Sequence, residues 1–372
     1  MIRPDALASE RPHGPWNCRG RDIWDTITAA ASGDVTALRR ALARHPDLYR
    51  SAYWYSQPIH FAVREGHVEA VRALLDAGAD PEARDAAGDD LVTVARDRGH
   101  DAVALILEEA RALGARATPA EPPAAPPIHL AAAAGDRALV ESLLAQGADP
   151  NAEIDSAGSA TFAARTPELR ALLVAHGGTL NAYDLVWLGE DDEAVRRVAA
   201  DPRAADAGCG GVFAAACKLG KRDLVVRLLD AGARVPPVAS GCRSYLMSDP
   251  GLLRLLLAAG MNPGMPDWQH GTPLHDLCAR DGRGRPLQHR VECATILLEA
   301  GASISARDEE YRSTPLAWAA RSDLPDMLEL LLERGAPTNL PGDPVWATPL
   351  AWAIRRGHAA IAERLRASGA TA

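Results

Sequence analysis

The sequence has only two lysines, Lys218 and Lys221, and only three phenylalanines. Its 40 Lys+Arg are outweighed by 49 Asp+Glu, leaving a formal charge of −9, so the chain lacks the cationic surplus with which a protein grips a phosphate backbone. Nucleic acid is not expected as a partner. Apolar runs are short as well: a membrane helix needs about 18 uninterrupted apolar residues, and even Leu252–Ala259 is broken by Arg254. Met1–Trp16 carries Arg3, Asp5, Glu10 and Arg11 where a secretory leader needs an apolar core. The six cysteines, Cys18, Cys209, Cys217, Cys242, Cys278 and Cys293, are scattered and form no C-x-x-C pair, which is the usage of a reducing compartment. The expectation is a cytoplasmic protein with no membrane partner. There is no G-x-S-x-G elbow, no phosphate-binding loop and no dinucleotide glycine signature. No catalytic residue, metal site or cofactor is therefore assigned.

What the chain does have is one phrase, repeated. Gln57-Pro58-Ile59-His60-Phe61-Ala62 is followed by Leu74-Leu75 and Gly78-Ala79-Asp80. The phrase returns as Pro127-Ile128-His129-Leu130-Ala131, with Leu143-Leu144 and Gly147-Ala148-Asp149 behind it. It returns again as Thr272-Pro273-Leu274-His275, Thr314-Pro315-Leu316-Ala317-Trp318 and Thr348-Pro349-Leu350-Ala351-Trp352. Gly301, Gly335 and Gly369 follow one another at intervals of 34 residues. Each letter has a physical reading. Thr caps a helix whose first turn takes Pro, where the missing N–H costs nothing. Small alanines let the first helix lie close to its neighbours, paired leucines fill the space between repeats, and Gly supplies the left-handed turn that ends the second helix.

The phrase resembles the ankyrin repeat, with its T-P-L-H-x-A signature and period of about 33 residues. The resemblance covers nearly everything from Ile23 onward and implies an all-α solenoid of about eleven helix-turn-helix units joined by short finger loops. The expected organisation is an N-terminal extension over 1–22, repeats one to three over 23–114 with the third degenerate, a Pro/Ala-rich connector over 115–126, and repeats four to eleven over 127–372. Leu365-Arg366 in place of a leucine pair reads as a capping unit. The connector prefers extended geometry and reads either as an elongated finger or as a hinge. The fifth and eighth repeats lose half a first helix, at Arg165–Glu168 and Met247–Pro250, and the ninth gains seven residues within Asp281–Gln288. Abundant alanine and the preference for arginine over lysine suit a GC-rich, bacterial type of coding sequence.

The resemblance implies a binding module, with a macromolecular partner, most simply a protein, held on the concave groove and finger loops. The compositional oddity is eight tryptophans against three phenylalanines. Trp318 and Trp352 take the variable position after Thr-Pro-Leu-Ala, which ankyrin geometry directs toward the groove, and Asp276 takes it in the repeat before them. The adjoining fingers add Trp268, His270, Tyr311 and Trp346. Amphipathic rings on a surface are binding anchors, so these seven residues are the expected contacts; the competing expectation is that the rings pack between repeats. Tyr53-Trp54-Tyr55 forms a second candidate cluster. His60, His129 and His275 recur at one repeat position, but separate helices stand about 8–10 Å apart and cannot share one zinc at about 2 Å. They are expected to bond to loop backbone, and His67, His100 and His358 likewise. The alternative function is a carbohydrate or small-molecule site in the concave surface, with paired carboxylates from Asp267, Asp276, Asp184 or Glu190-Asp191-Asp192-Glu193 suited to glycoside processing.

Overall fold

The helix signals in each repeat are local, and the computed structural model realises them as antiparallel helix pairs. It describes residues 1–8, 10, 12–13, 18–53, 56–85, 88–114, 126–154, 158–208, 211–235, 249–280 and 289–371. The connector 115–125, the insertion 281–288, Trp54, Tyr55, Cys209, Cys242, Met247 and Ser248 lie outside the described residues.

Two units result, divided at Thr179/Leu180. In the N-terminal unit, Arg3–Thr179, the pairs are Gly20–Ser32 with Val35–Arg44, Pro58–Arg64 with Val68–Asp76, Leu91–Asp97 with Asp101–Ala112, Pro127–Ala134 with Arg137–Ala145, and Ala160–Ala163 with Pro167–Ala175. In the C-terminal unit, Leu180–Ala372 together with Met1–Ile2, they are Ala182–Leu188 with Asp191–Ala200, Gly211–Lys218 with Arg222–Asp230, Pro273–Leu277 with Arg290–Glu299, Pro315–Arg321 with Pro325–Glu333, and Pro349–Arg355 with Ala359–Ala367. Pro250–Ala258 is a second helix whose predecessor falls outside the described residues. Strand structure among the described residues is confined to two two-residue antiparallel ladders, Pro12–His13 with Cys18–Arg19 and Glu153–Ile154 with Gly158–Ser159.

The expected caps form. Thr314 and Thr348 accept from the amides of Ala317 and Ala351 at 3.4 and 3.3 Å. In the two shortened repeats the residue before Pro does the same work: Thr166 accepts from Leu169, and Asp249 from Gly251 and Leu252. Arg222 lies 2.6 Å from Asp249, and this hydrogen bond is the main reason the Asp249 carboxyl titrates below its ordinary range.

Packing couples each pair to the next. Leu253, Leu256, Leu297, Leu328 and Leu331 of successive second helices are buried in one continuous apolar core with Leu274, Leu316 and Leu350 of the first helices. Ion pairs run between second helices on the solvent side, Arg254 to Glu292, Arg290 to Asp326 and Arg364 to Glu329 at 3.1, 2.6 and 2.6 Å. Exposed pairs of this type contribute little individually, so the apolar layer carries the association.

A second coupling runs through histidine and glycine. His67, His100 and His358 stand at the entrance to second helices, and the Nε2 of each meets a carbonyl at the end of the preceding first helix, Ala31, Arg64 and Arg321, at 2.9, 3.1 and 3.2 Å. The rings of His67 and His100 lie over the glycine that closes that helix, whereas at His358 the left-handed position is taken by Asp323. A Cβ on Gly33 or Gly66 would come within 2.6 Å of the Nδ1 of His67 or His100. Gly66 and Gly99 share a left-handed φ, 76° and 75°, but nothing lies within 4 Å of a Cβ on Gly99. Gly99→Ala is therefore expected to lose only the left-handed penalty, about 1 kcal/mol. Gly66→Ala adds a collision with the imidazole and should cost about 1–2 kcal/mol more, a difference readable in urea unfolding midpoints; equal losses would refute the interlock.

Candidate functional site

The first helices Pro315–Arg321 and Pro349–Arg355 and the fingers before them gather most of the expected contacts. Asp308 organises the finger. Its carboxylate is 4 % exposed and accepts from the amides of Tyr311 and Ser313 at 2.6 and 2.9 Å and from the indole Nε1 of Trp318 at 3.0 Å. Ser313 in turn accepts from the indole Nε1 of Trp352 at 2.9 Å, and its hydroxyl lies within donating distance of the Tyr311 and Ala347 carbonyls. The rings meet edge to face: His275 with Trp318 at 5.7 Å between centroids, Trp318 with Tyr311 at 5.1 Å, Tyr311 with Trp352 at 5.7 Å and Trp352 with Trp346 at 6.3 Å. Edge-to-face contacts of this kind each add about 0.5–1.5 kcal/mol beyond area burial.

Three guanidinium groups flank this layer. Arg321 sits 4.3 Å from the Tyr311 centroid and 5.2 Å from that of Trp352, while Arg355 and Arg356 approach Trp352 to 4.3 and 5.6 Å. Arg355 also donates to the Trp346 carbonyl.

The seven expected contacts thus divide. Trp318, Trp346, His270 and Asp276 are partly exposed. Trp352, Tyr311 and Trp268 are buried, at 2, 5 and 6 % exposure, and the expectation that their rings face solvent is corrected. The cause is the repeat period itself. Trp318 and Trp352 are one repeat apart, and Tyr311 of the finger before Trp318 packs edge to face on both, while the Trp352 ring is closed in by Trp346 and the arginines. The solvent-facing members of the same finger and helix are Val345, Ile354 and Arg355, with Val345 at 73 % and Ile354 at 46 %; sequence reasoning overlooked them, although Ile354 follows the Trp-Ala of the helix and Val345 precedes Trp346.

Asp308 was also overlooked, and it had a signal. An aspartate five or six residues ahead of the first-helix cap recurs at Asp85, Asp267, Asp308 and Asp343. Asp267 accepts from the amides of Gln269 and Gly271, both at 2.8 Å, and Asp85 from that of Asp89 at 2.9 Å.

Of the three histidines at the repeat position, His60 and His275 serve the backbone. The Nδ1 of His60 accepts from the Gln57 amide at 3.0 Å, and its Nε2 faces the Arg84 carbonyl at 2.9 Å. His275 does the same with Thr272 and Ser313 at 3.0 and 3.1 Å. Desolvation holds the His60 pKa below its ordinary value of 6.5, against the opposing effect of the Arg84 carbonyl.

Carboxylates considered for glycoside chemistry are engaged in structure. Asp184 accepts from the Asn181 amide at 2.9 Å as part of a capping box. Asp191 pairs with Lys221 at 2.6 Å, Asp192 with Arg227, and Glu193 with Arg196 and Arg197. Hydrogen bonding to Arg197 chiefly, and then to Arg196, keeps the Glu193 carboxyl below its usual range. Three of the thiols are equally unsuited to nucleophilic attack: burial, first of all, raises Cys18 to about 11 and Cys293 to about 12, and Cys278 higher still. Among the described residues no group of three or more His, Cys, Asp or Glu side chains is placed to hold a metal ion, and no helix is long and apolar enough to cross a membrane. The last repeats thus hold an aromatic layer, a cationic flank and exposed apolar side chains.

A family model described as ankyrin repeats (3 copies) matches residues 59–154 and 212–342, and one described as ankyrin repeats (many copies) matches residues 27–75.

Two outcomes follow from this geometry. Asp308→Ala removes three donors' common acceptor, and a buried group left unsatisfied costs about 1–3 kcal/mol; amide exchange at Tyr311 and Ser313 should accelerate and the Trp318 indole N–H resonance should move, while an unchanged indole signal would count against the bond. For His60, the unfolded chain takes up its proton near pH 6.5 and the folded ring only at lower pH. Stability should fall as pH drops below about 6.5, and the fall from pH 7 to 5 should be smaller in His60→Asn.

Proposed function

The chain belongs to the ankyrin-repeat family, and from that premise we propose that it docks a protein partner on the finger and first-helix surface of its last repeats. Ankyrin repeats generally act as protein–protein interaction modules. The observation that supports the location is that Val345 and Ile354 are exposed apolar side chains on the same finger and helix as Trp346 and Trp352. Trp352 and Tyr311 make that end of the fold rigid, fixed by the Ser313 and Asp308 hydrogen bonds. Large apolar groups at the surface of an ordered element are where partners are held. Trp318, Trp346, His270 and Asp276 complete the contact set from neighbouring fingers and helices, and Trp268 supports its own finger. The cationic members, Arg355 and Arg356, favour a partner surface with carboxylates, since matched charge sets orientation and encounter rate.

The test separates the exposed side chains from the buried rings. Val345→Glu with Ile354→Glu should change unfolding free energy by no more than about 0.5 kcal/mol and abolish capture of the partner. Trp352→Ala should instead destabilise the fold by about 3–5 kcal/mol. Retained capture by the double glutamate variant would remove the surface from consideration.

A further inference from the structure

Within the N-terminal unit the third and fourth helix pairs meet the rest of the array differently from their counterparts. In the fourth pair, Leu130 and Leu139 are 53 and 45 % exposed. The residues at the same places in the second pair, Phe61 and Ala70, are buried, and so is Leu169, which stands in the fifth pair where Leu139 stands in the fourth. Trp352, at the place of Leu130 in the last pair, is covered by Tyr311 and Arg321 from the repeat before it, so this position looks back along the array. The backward side of the fourth pair is therefore open. The third pair is closed off to match. Val63, Ala132 and Ala320 are buried at one first-helix position, and Leu75, Leu144 and Leu332 are part-buried at one second-helix position. The third pair carries Arg96 and Glu108 in those two places, joined to each other as an ion pair. Docking an apolar neighbour there would strip water from both charges, which opposes stacking.

The fourth and fifth pairs are left with a small core of their own. Ile128, Ala131, Ala132, Val140, Ala160, Ala164, Leu169 and Leu173 make up its buried apolar members, half of them alanine and none from the third pair. The first helix of the fifth pair is a single turn, Ala160–Ala163, and Val174 is exposed where other second helices place a packed leucine. The C-terminal unit differs: one cluster of buried residues runs through it from Ala182 to Ala370. A solenoid is stable as the sum of its repeats and the interfaces between them, and about three stacked repeats are needed before that sum favours folding. A core confined to two repeats falls short. We propose that residues 126–179 are a joint built into the array, which opens by cooperative local unfolding while the third helix pair stays folded. The Arg96–Glu108 pair ends the stack ahead of the joint, so that its opening does not spread backward. The inference concerns other repeats than the docking surface and stands or fails without it.

Native-state hydrogen exchange on the full chain, followed by peptide mass spectrometry at rising but sub-denaturing urea, reads the opening directly. Amides of Pro127–Ala134, Arg137–Ala145 and Pro167–Ala175 should share one urea dependence, with protection about 100-fold below that of Leu91–Asp97 and Asp101–Ala112. Two variants test whether the boundary holds. Val140→Ala removes two buried methyl groups from the small core and should speed exchange over 127–175 by a further factor of about ten, with 91–112 unchanged. Val71→Ala, in the buried part of the second pair, should do the reverse, speeding exchange over 91–112 and leaving 127–175 as it was. Protection that is equal over 91–112 and 127–175 in the unmutated chain would overturn the proposal. So would acceleration of both stretches by Val140→Ala, which would mean one continuous stack, and so would unrelated urea dependences within 127–175, which would mean fraying in place of a cooperative joint.

Discussion

The carbonyls at the end of each first helix have no partner inside that helix, and each unit depends on how a neighbouring repeat satisfies them. The donor varies while its destination does not. Histidine serves at Ala31, Arg64 and Arg321. Lys221 reaches the Val186 carbonyl, Arg98 joins His100 at Arg64, and Arg280 reaches Ser322 and Asp323. A hydrogen bond of this sort contributes about 1 kcal/mol, and rather more when the donor is charged. Repetition adds to its weight, because it recurs at the helices ending near Ala31, Arg64, Val186 and Arg321.

The aromatic layer of the last repeats illustrates how burial and presentation are divided among residues of one type. A tryptophan buries so much apolar area that a neighbouring ring or guanidinium face is stabilising wherever it can be reached. Trp352 finds two aromatic and three cationic neighbours and disappears from the surface, with its one polar atom satisfied by Ser313. Trp318, tied to Asp308 by its indole N–H, keeps part of its ring in solvent. The consequence is that smaller side chains, Val345 and Ile354, are the more exposed apolar groups of this finger and helix.

Much of the fold was legible because its determinants are local. Thr-Pro at a helix start and glycine at a helix end act within one turn, and Thr314, Thr348 and Gly335 behave as their positions imply. Even the shortened repeats were readable, since Thr166 and Asp249 cap whatever follows them. Which face of the Trp352 ring would be covered was not, because that depends on Tyr311 and on arginines whose approach is set by the stacking of repeats. Asp308 was hidden for the opposite reason: its three partners are within ten residues, yet two of them are backbone amides, which leave no mark on residue identity.

The histidine closure also has a direction in time. The ring that completes the helix ending near Ala31 belongs to His67, made 36 residues later, and the one that completes the helix ending at Arg64 belongs to His100, again 36 residues on. During synthesis these two helices therefore keep carbonyls open to water until the ribosome has delivered most of the following repeat, whereas Arg280 is made ahead of the Ser322 and Asp323 carbonyls it meets.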